Sequence, residues 1–364
     1  MSAEPVQIVK LIDHSFVPDQ EALEKILLEN DVKDRSIVVI SIAGAFRKGK
    51  SFLLDFCLRY LHAEFVGKNE GKDWLGTDDE PLVGFAWRDG SERETTGIWM
   101  WSELFKHDMP NGEKIAIALM DTQGVFDSKS TVKECSTVFA LSTMLSSVLI
   151  FNVSQNIQED DLQHLLFFTD YGRLALAESE KKPFQRLQFL VRDWHFVNEA
   201  GYGAKGGQKI LKNRLEIQEG QHSELKFLRE HLSSCFDDIN CFLMPHPGLK
   251  IICDFDGRLS LLEPEFRSAL RDLIPMLLAP ENLVIKQVQG QRVKARDFVQ
   301  LFNIYNQIFM GDTLPEPKTL LAATAEASNL AAFEGKKNIV FLFACVHLNI
   351  FNNFKLQRKF TFKK

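Results

Sequence analysis

The stretch Gly44–Ser51, GAFRKGKS, constrains this chain more than any other. It meets every fixed position of the pattern G-x-x-x-x-G-K-[ST], which a random chain of this length would meet on the order of one time in a hundred. The apolar run Ile37–Ile42 precedes it. After Ser51, Phe52, Leu53, Phe56, Cys57, Tyr60 and Leu61 recur at the spacing of one helix face. Strand, glycine-containing loop and helix in that order make a phosphate cradle, because a helix N-terminus leaves backbone N–H groups unpaired at the positive end of its dipole.

Three further runs, Lys114–Met120, Val148–Val153 and Leu187–Val191, are rich in aliphatic residues without polar alternation. That pattern marks strands buried on both faces of a mostly parallel sheet. Helical text separates them at Ser136–Ser147 and Glu159–Ala177, the second opening with an acidic first turn. Tyr202–Gln208 reads as a mobile glycine-rich loop, followed by charged helical text over Ile210–Ser234 and an apolar run Cys241–Met244 that ends in the turn PHPG.

The fold class is therefore α/β, a P-loop domain whose mostly parallel central sheet is flanked by helices, over residues 1–285. A linker over 286–316 carries an amphipathic helix through Phe298, Leu301, Phe302, Tyr305, Ile308 and Phe309. Residues 317–332 read as the start of a truncated helical bundle. An isolated helix of about 15 residues is marginal in water, so without bundle partners this one is expected to fray. Composition changes abruptly at Phe333–Lys364, which holds seven phenylalanines, seven Lys or Arg and one acid, Glu334. This divergent tail is expected to be disordered.

The formal net charge of −6 gives no basic excess for nucleic acid. Cys57, Cys135, Cys235, Cys241, Cys253 and Cys345 are thinly spread without C-x-x-C spacing, as buried reduced thiols are. The N-terminus has no basic segment followed by an apolar run, so no signal peptide is expected. No window reaches the ~18 to 20 apolar residues of a membrane-spanning helix. Ile339–Phe351 comes nearest, but it is short and holds His347 and Asn349.

Within the cradle, Lys50 should neutralise the β- and γ-phosphates while the Ser51 hydroxyl coordinates Mg²⁺. Thr95 and Thr96, in GSERETTGI, offer a second hydroxyl from a loop able to close over a nucleotide. Asp121 ends an apolar strand where it can reach the metal through water, and Gly124, three residues on, leaves room for a backbone N–H at the γ-phosphate. The N-K-x-D motif usual in small GTPases is missing. Arg192 and Asp193 end the strand LQFLVRDW instead, and a carboxylate there can accept both N1–H and N2–H of guanine, whereas adenine has an acceptor at N1.

The combination GAFRKGKS, GSERETTGIW, MDTQG and VRDW, together with FALSTMLSS, QEDDLQHL, PHPGLK and ATAEASNLAA, resembles the atlastins, dynamin-superfamily GTPases related to the guanylate-binding proteins. The resemblance covers about residues 5–332. It implies Mg²⁺-dependent hydrolysis of GTP and a homodimer formed through the G domains in the GTP state, which tethers and fuses endoplasmic reticulum tubules from the cytosolic face of the membrane. By position, Gly44, Phe46, Arg47, Lys48, Gly49, Lys50, Ser51, Phe52, Gly124, Arg192 and Asp193 would bind nucleotide. Ser51, Thr95 and, through water, Asp121 would hold the metal. Arg47, Lys50 and Thr95 would be catalytic, with Arg47 matching the family's internal arginine finger.

The position after Gly124 is Val125, where small GTPases carry a water-orienting glutamine, which leaves Arg47 a part in hydrolysis. After Ala332 the resemblance to the family's helical bundle, transmembrane hairpin and amphipathic tail stops. Two further readings follow: a regulatory GTP-binding module, cytosolic without an anchor, that pairs with full-length atlastins, or a soluble guanylate-binding-type GTPase.

Overall fold

A computed structural model describes residues 3–45, 48–67, 73–87, 95–124, 131–165, 174–175, 177, 181–251, 255–309 and 315–329. The chain begins with an antiparallel hairpin, β1 (Pro5–Ile12) and β2 (Ser15–Pro18), and a short helix α1 (Gln20–Leu27) capped by the Asp19 carboxylate. Then come β3 (Ser36–Gly44), α2 (Lys50–Leu61), β4 (Ile98–Trp101), β5 (Phe105–Asp108) and β6 (Lys114–Thr122). Next are α3 (Val132–Leu145), β7 (Val148–Ser154), α4 (Glu159–Gln163) and β8 (Phe184–Arg192). The domain closes with α5 (Gly203–Leu215), α6 (Ser223–Cys235), β9 (Phe236–Leu243) and α7 (Pro264–Leu278).

The sheet runs β2-β1-β4-β6-β3-β7-β8-β9, with β5 also paired to β6. The five strands from β6 to β9 are mutually parallel, and the N-terminal strands add antiparallel pairings at one edge. The five apolar runs read between Ile37 and Met244 fall on the parallel strands. Their residues alternate between two cores: on β3, Ile37, Val39 and Ala43 face one while Val38, Ile40 and Ile42 face the other. Both faces are covered, α2 and α7 on one and α3 on the other, which is why these strands show no polar alternation.

Tyr202–Gln208 is not a loop. Gly203 opens α5, and Gly206 and Gly207 lie on its buried side. A Cβ on Gly207 would stand 2.0 Å from the Cys241 carbonyl oxygen of β9, and one on Gly206 1.7 Å from that of Gly201. The glycines serve close helix–strand packing, which outweighs their helix-propensity penalty of ~1 kcal/mol each.

Beyond the domain, the strands β10 (Gln287–Val288) and β11 (Gln291–Arg292) lead into α8 (Ala295–Phe309), whose buried Phe298, Phe302 and Tyr305 pack on the core that α3 covers. Residues 317–329 form the helix α9. Its Leu320, Leu321, Thr324 and Ala327 are buried, and Thr324 Oγ1 is 3.2 Å from the Tyr305 hydroxyl. The fraying expected of this helix is therefore not seen: α8 and the domain supply the apolar cover that its own length cannot. The tail expectation for 333–364 lies outside the described residues. Cys57, Cys135, Cys235 and Cys241 are buried and form no disulfide among the described residues; Cys253 and Cys345 lie outside them.

Lys286 is an energetic anomaly at this junction. It is 1% exposed, its ammonium donates to the Ser146 carbonyl at 2.8 Å, and desolvation pushes its pKa down to about 7. An unfolded lysine holds its proton to pH ~10, so between pH 7 and that value the unfolded chain binds more protons and folding stability rises with pH. Lys286→Met is expected to raise the melting temperature at pH 7 by roughly 2–5 °C. The gap between variant and parent should narrow as pH rises toward 10 in differential scanning calorimetry; a gap constant with pH would contradict this account.

Candidate functional site

The P-loop leaves β3, which lies between β6 and β7, at the carboxyl end of the parallel strands, where the strand order reverses. Gly44 adopts φ 141°, and a Cβ there would stand 2.1 Å from the Asn152 carbonyl oxygen of β7. Gly49, at φ 67°, is the N-cap of α2, so the chain turns into the helix through a left-handed residue that only glycine adopts without penalty. Lys50 then opens α2 with its side chain folded back under the loop, Nζ donating to the Ala45 carbonyl at 3.1 Å. Burial pushes its pKa down to about 8, against the opposing pull of Asp121.

Three oxygen donors from three separate elements meet beside Lys50. Ser51 Oγ donates to Asp121 Oδ2 at 2.6 Å, Thr95 Oγ1 donates to the same oxygen at 3.2 Å, and the two hydroxyls are 3.3 Å apart. Asp121 is 1% exposed. Desolvation raises its pKa, while the Ser51 hydroxyl, the Lys50 charge, Thr95 and the Thr122 N–H act to keep it ionised. One carboxylate and two hydroxyls, all hard oxygen donors, fit Mg²⁺. Of the two candidate threonines, it is Thr95 that joins the cluster.

Thr96 instead offers its carbonyl to Gln7 Nε2 and Trp99 Nε1, both at 2.8 Å. Gln123, between Asp121 and Gly124, clasps the next residue twice: its backbone N–H donates to the Gly97 carbonyl and its Oε1 accepts from the Gly97 N–H, both at 2.8 Å. The Gly97 approach to β1 is tight, since a Cβ would stand 1.9 Å from the Val9 carbonyl oxygen. The Thr95 segment is thus tied to the segment carrying Asp121 and Gly124. Sequence reasoning missed Gln7 and Gln123; the glutamine in DTQG was the available signal.

Asp55, one helical turn beyond Ser51, is fully buried and also went unread. It accepts from the Phe85 N–H at 2.6 Å and Trp87 Nε1 at 2.9 Å, and burial pushes its pKa up to about 8. Phe52, expected near nucleotide, has its ring in an aromatic cluster with Phe56, Trp87, Phe255 and Phe266, which leaves its backbone N–H as the group at the cradle.

The end of β8 divides the work expected of it. Arg192 is 4% exposed, with its guanidinium over the Phe266 ring at 5.6 Å and Nη1 directed to the Lys48 and Gly49 carbonyls at 3.3 and 3.4 Å. Asp193, half-buried at φ 58°, turns the chain out of the strand, and no hydrogen bond among the described residues holds its carboxylate. Gly124 is buried just beyond Gln123. Phe46 and Arg47 lie outside the described residues, as does Val125.

Comparison with known proteins finds that residues 13–287 match the family model described as the guanylate-binding protein N-terminal domain. The chain is 61% identical over 342 residues to Atlastin of Drosophila melanogaster, covering 93% of this chain and 63% of that protein. It is 55% identical over 338 residues to human Atlastin-2, covering 92% and 57%, and 53% identical over 342 residues to human Atlastin-3, covering 93% and 63%. The chain thus spans less than two thirds of the length of these relatives. No helix among the described residues is long and apolar enough to cross a membrane.

Proposed function

Because the chain belongs to the guanylate-binding protein family and is an atlastin-like member of it, we propose that it hydrolyses GTP to GDP and phosphate with Mg²⁺. The observation that carries this reading is the convergence of Ser51, Thr95 and Asp121 beside Lys50 at the mouth of a P-loop. In this reading, Lys50 releases its contact with the Ala45 carbonyl and pairs with the β- and γ-phosphates. Ser51 and Thr95 would hold the metal through their hydroxyl oxygens, and Asp121, which accepts from both hydroxyls, would reach it through water. Held there, the metal would supply neutralisation of charge on the phosphates. Gly44, Lys48, Gly49 and Phe52 contribute the loop and helix amides, and Gly124 an amide at the γ-phosphate.

Water attacks the γ-phosphorus as the bond to the β,γ-bridging oxygen breaks. Arg47, with Phe46 beside it in the loop, neutralises the charge that builds on that oxygen. Asp193 reads guanine through N1–H and N2–H. The family further supports pairing of two G domains in the GTP state, with association to the endoplasmic reticulum and tubule fusion as the setting.

Purified protein is expected to release phosphate from GTP in a strictly Mg²⁺-dependent manner and to spare ATP at equal concentration. Equal turnover of ATP would refute the base assignment, and turnover unaffected by EDTA would refute the metal site. Light scattering should report a dimer with a GTP transition-state mimic and a monomer with GDP; one mass in both states would exclude nucleotide-driven pairing.

A further inference from the structure

The P-loop is held from behind by two side chains on neighbouring strands. Asn152, on β7 and completely buried, donates from Nδ2 to the Lys48 carbonyl at 2.9 Å. Arg192, from β8, reaches the same carbonyl at 3.3 Å and the Gly49 carbonyl at 3.4 Å. The Gly49 carbonyl also accepts the Leu53 N–H of α2 at 3.1 Å. Asn152 belongs to no motif that marks the site.

A trans peptide is planar, so the carbonyl of one residue and the N–H of the next point in opposite directions. Holding the Lys48 carbonyl toward Asn152 and Arg192 therefore turns the Gly49 N–H to the opposite side of the loop. Holding the Gly49 carbonyl does the same for the Lys50 N–H. These are the amides at the start of α2, where a bound phosphate is received. Glycine gives the peptides on either side of it more freedom to rotate than any other residue does, so these carbonyls depend on outside partners. For the Lys48 carbonyl they come from the strands, and for the Gly49 carbonyl α2 shares the restraint through the Leu53 N–H.

We infer that Asn152, acting with Arg192, is a positioning residue that aims the Gly49 and Lys50 amides at the phosphates of the bound nucleotide. This inference rests on the GTP-binding reading and deepens it. It gives Arg192 work on the phosphate side of the site and leaves discrimination of the base to Asp193. Preorganised amides bind an anion without first reorganising, so loosening them should weaken every nucleotide that carries the β-phosphate, whatever its base.

Asn152→Leu removes the donor while keeping the same number and branching of side-chain heavy atoms. It is expected to weaken fluorescent-analogue binding of GDP and GTP by about tenfold, the scale of one hydrogen bond to a charged group. The preference for GDP over IDP, which lacks the guanine amino group, should stay as in the parent. The nucleotide-free variant should melt within a few degrees of the parent, while the extra stability that GDP confers should shrink. Asn152→Ser, which keeps a shorter donor, should fall between the two and supplies the same measurements if the leucine variant does not fold.

GDP affinity unchanged in both variants would overturn the inference. So would a GDP-to-IDP preference that falls along with affinity, which would make the pair part of base recognition. A parent protein that binds no guanine nucleotide would instead remove the GTPase reading itself.

Discussion

Replacing Arg47 by alanine is expected to lower single-turnover GTP hydrolysis by about 10³-fold or more, while GDP affinity changes only a few-fold. The asymmetry follows from where charge develops. A guanidinium on the β,γ-bridging oxygen has little to neutralise in the ground state and much more as the leaving group takes up charge. Val125 stands where a water-orienting glutamine would share this task, so little remains to compensate. Arg47 precedes the Lys48 peptide whose carbonyl Asn152 and Arg192 hold, so its loop is anchored on that side. Rapid-quench hydrolysis beside equilibrium binding measures both quantities. Parallel losses of rate and affinity would mean that Arg47 only binds phosphate.

Asp193→Asn is expected to weaken GTP binding by roughly 10²-fold or more and to shift preference toward XTP. The carboxylate offers two acceptors to the two N–H groups on the guanine edge. An amide replaces one acceptor with a donor, leaving two donors facing each other, and the penalty for an unpaired buried polar group sets the size of the effect. Xanthine presents a carbonyl at the position of the guanine amino group, which restores the match. Competition binding with GTP, XTP and ATP tests this. Unchanged GTP affinity would place guanine recognition elsewhere, and a loss of all three nucleotides alike would make Asp193 structural.

These two expectations differ from the Asn152 test in what they move: rate for Arg47, base choice for Asp193, and phosphate affinity for Asn152. One set of binding and turnover measurements therefore separates three functions that meet within a single loop and two strand ends.

Much of the domain is legible in the chain because its signals are local. The parallel strands β3, β6, β7 and β8 announce themselves as unbroken apolar runs, since both of their faces are buried. Gly44–Ser51 announces the cradle because phosphate binding needs a glycine turn, a lysine and a hydroxyl at fixed spacing. Asp121 was identifiable from its place at a strand end and Thr95 and Thr96 as a pair from their polar loop, but that Thr95 and not Thr96 joins Ser51 and Asp121 was not. The antiparallel strands β1, β2, β4 and β5 went unread: β2, β4 and β5 span only four residues each, and β1 is mostly half-buried.

Residue types and spacing by themselves determined the fold class and the phosphate loop, because each depends on chemistry that a few neighbouring residues carry in full. Tertiary structure alone decided that the glycines of Tyr202–Gln208 sit within a helix against β9, that helix 317–329 finds its cover on α8, and that Arg192 turns to the P-loop carbonyls. Each of these depends on a partner tens of residues or more away, and the choice between a glycine that breaks a helix and one that lets it pack is made by the backbone it meets. The same holds for Asn152, whose side chain acquires its role only because β7 runs beside the loop that leaves β3.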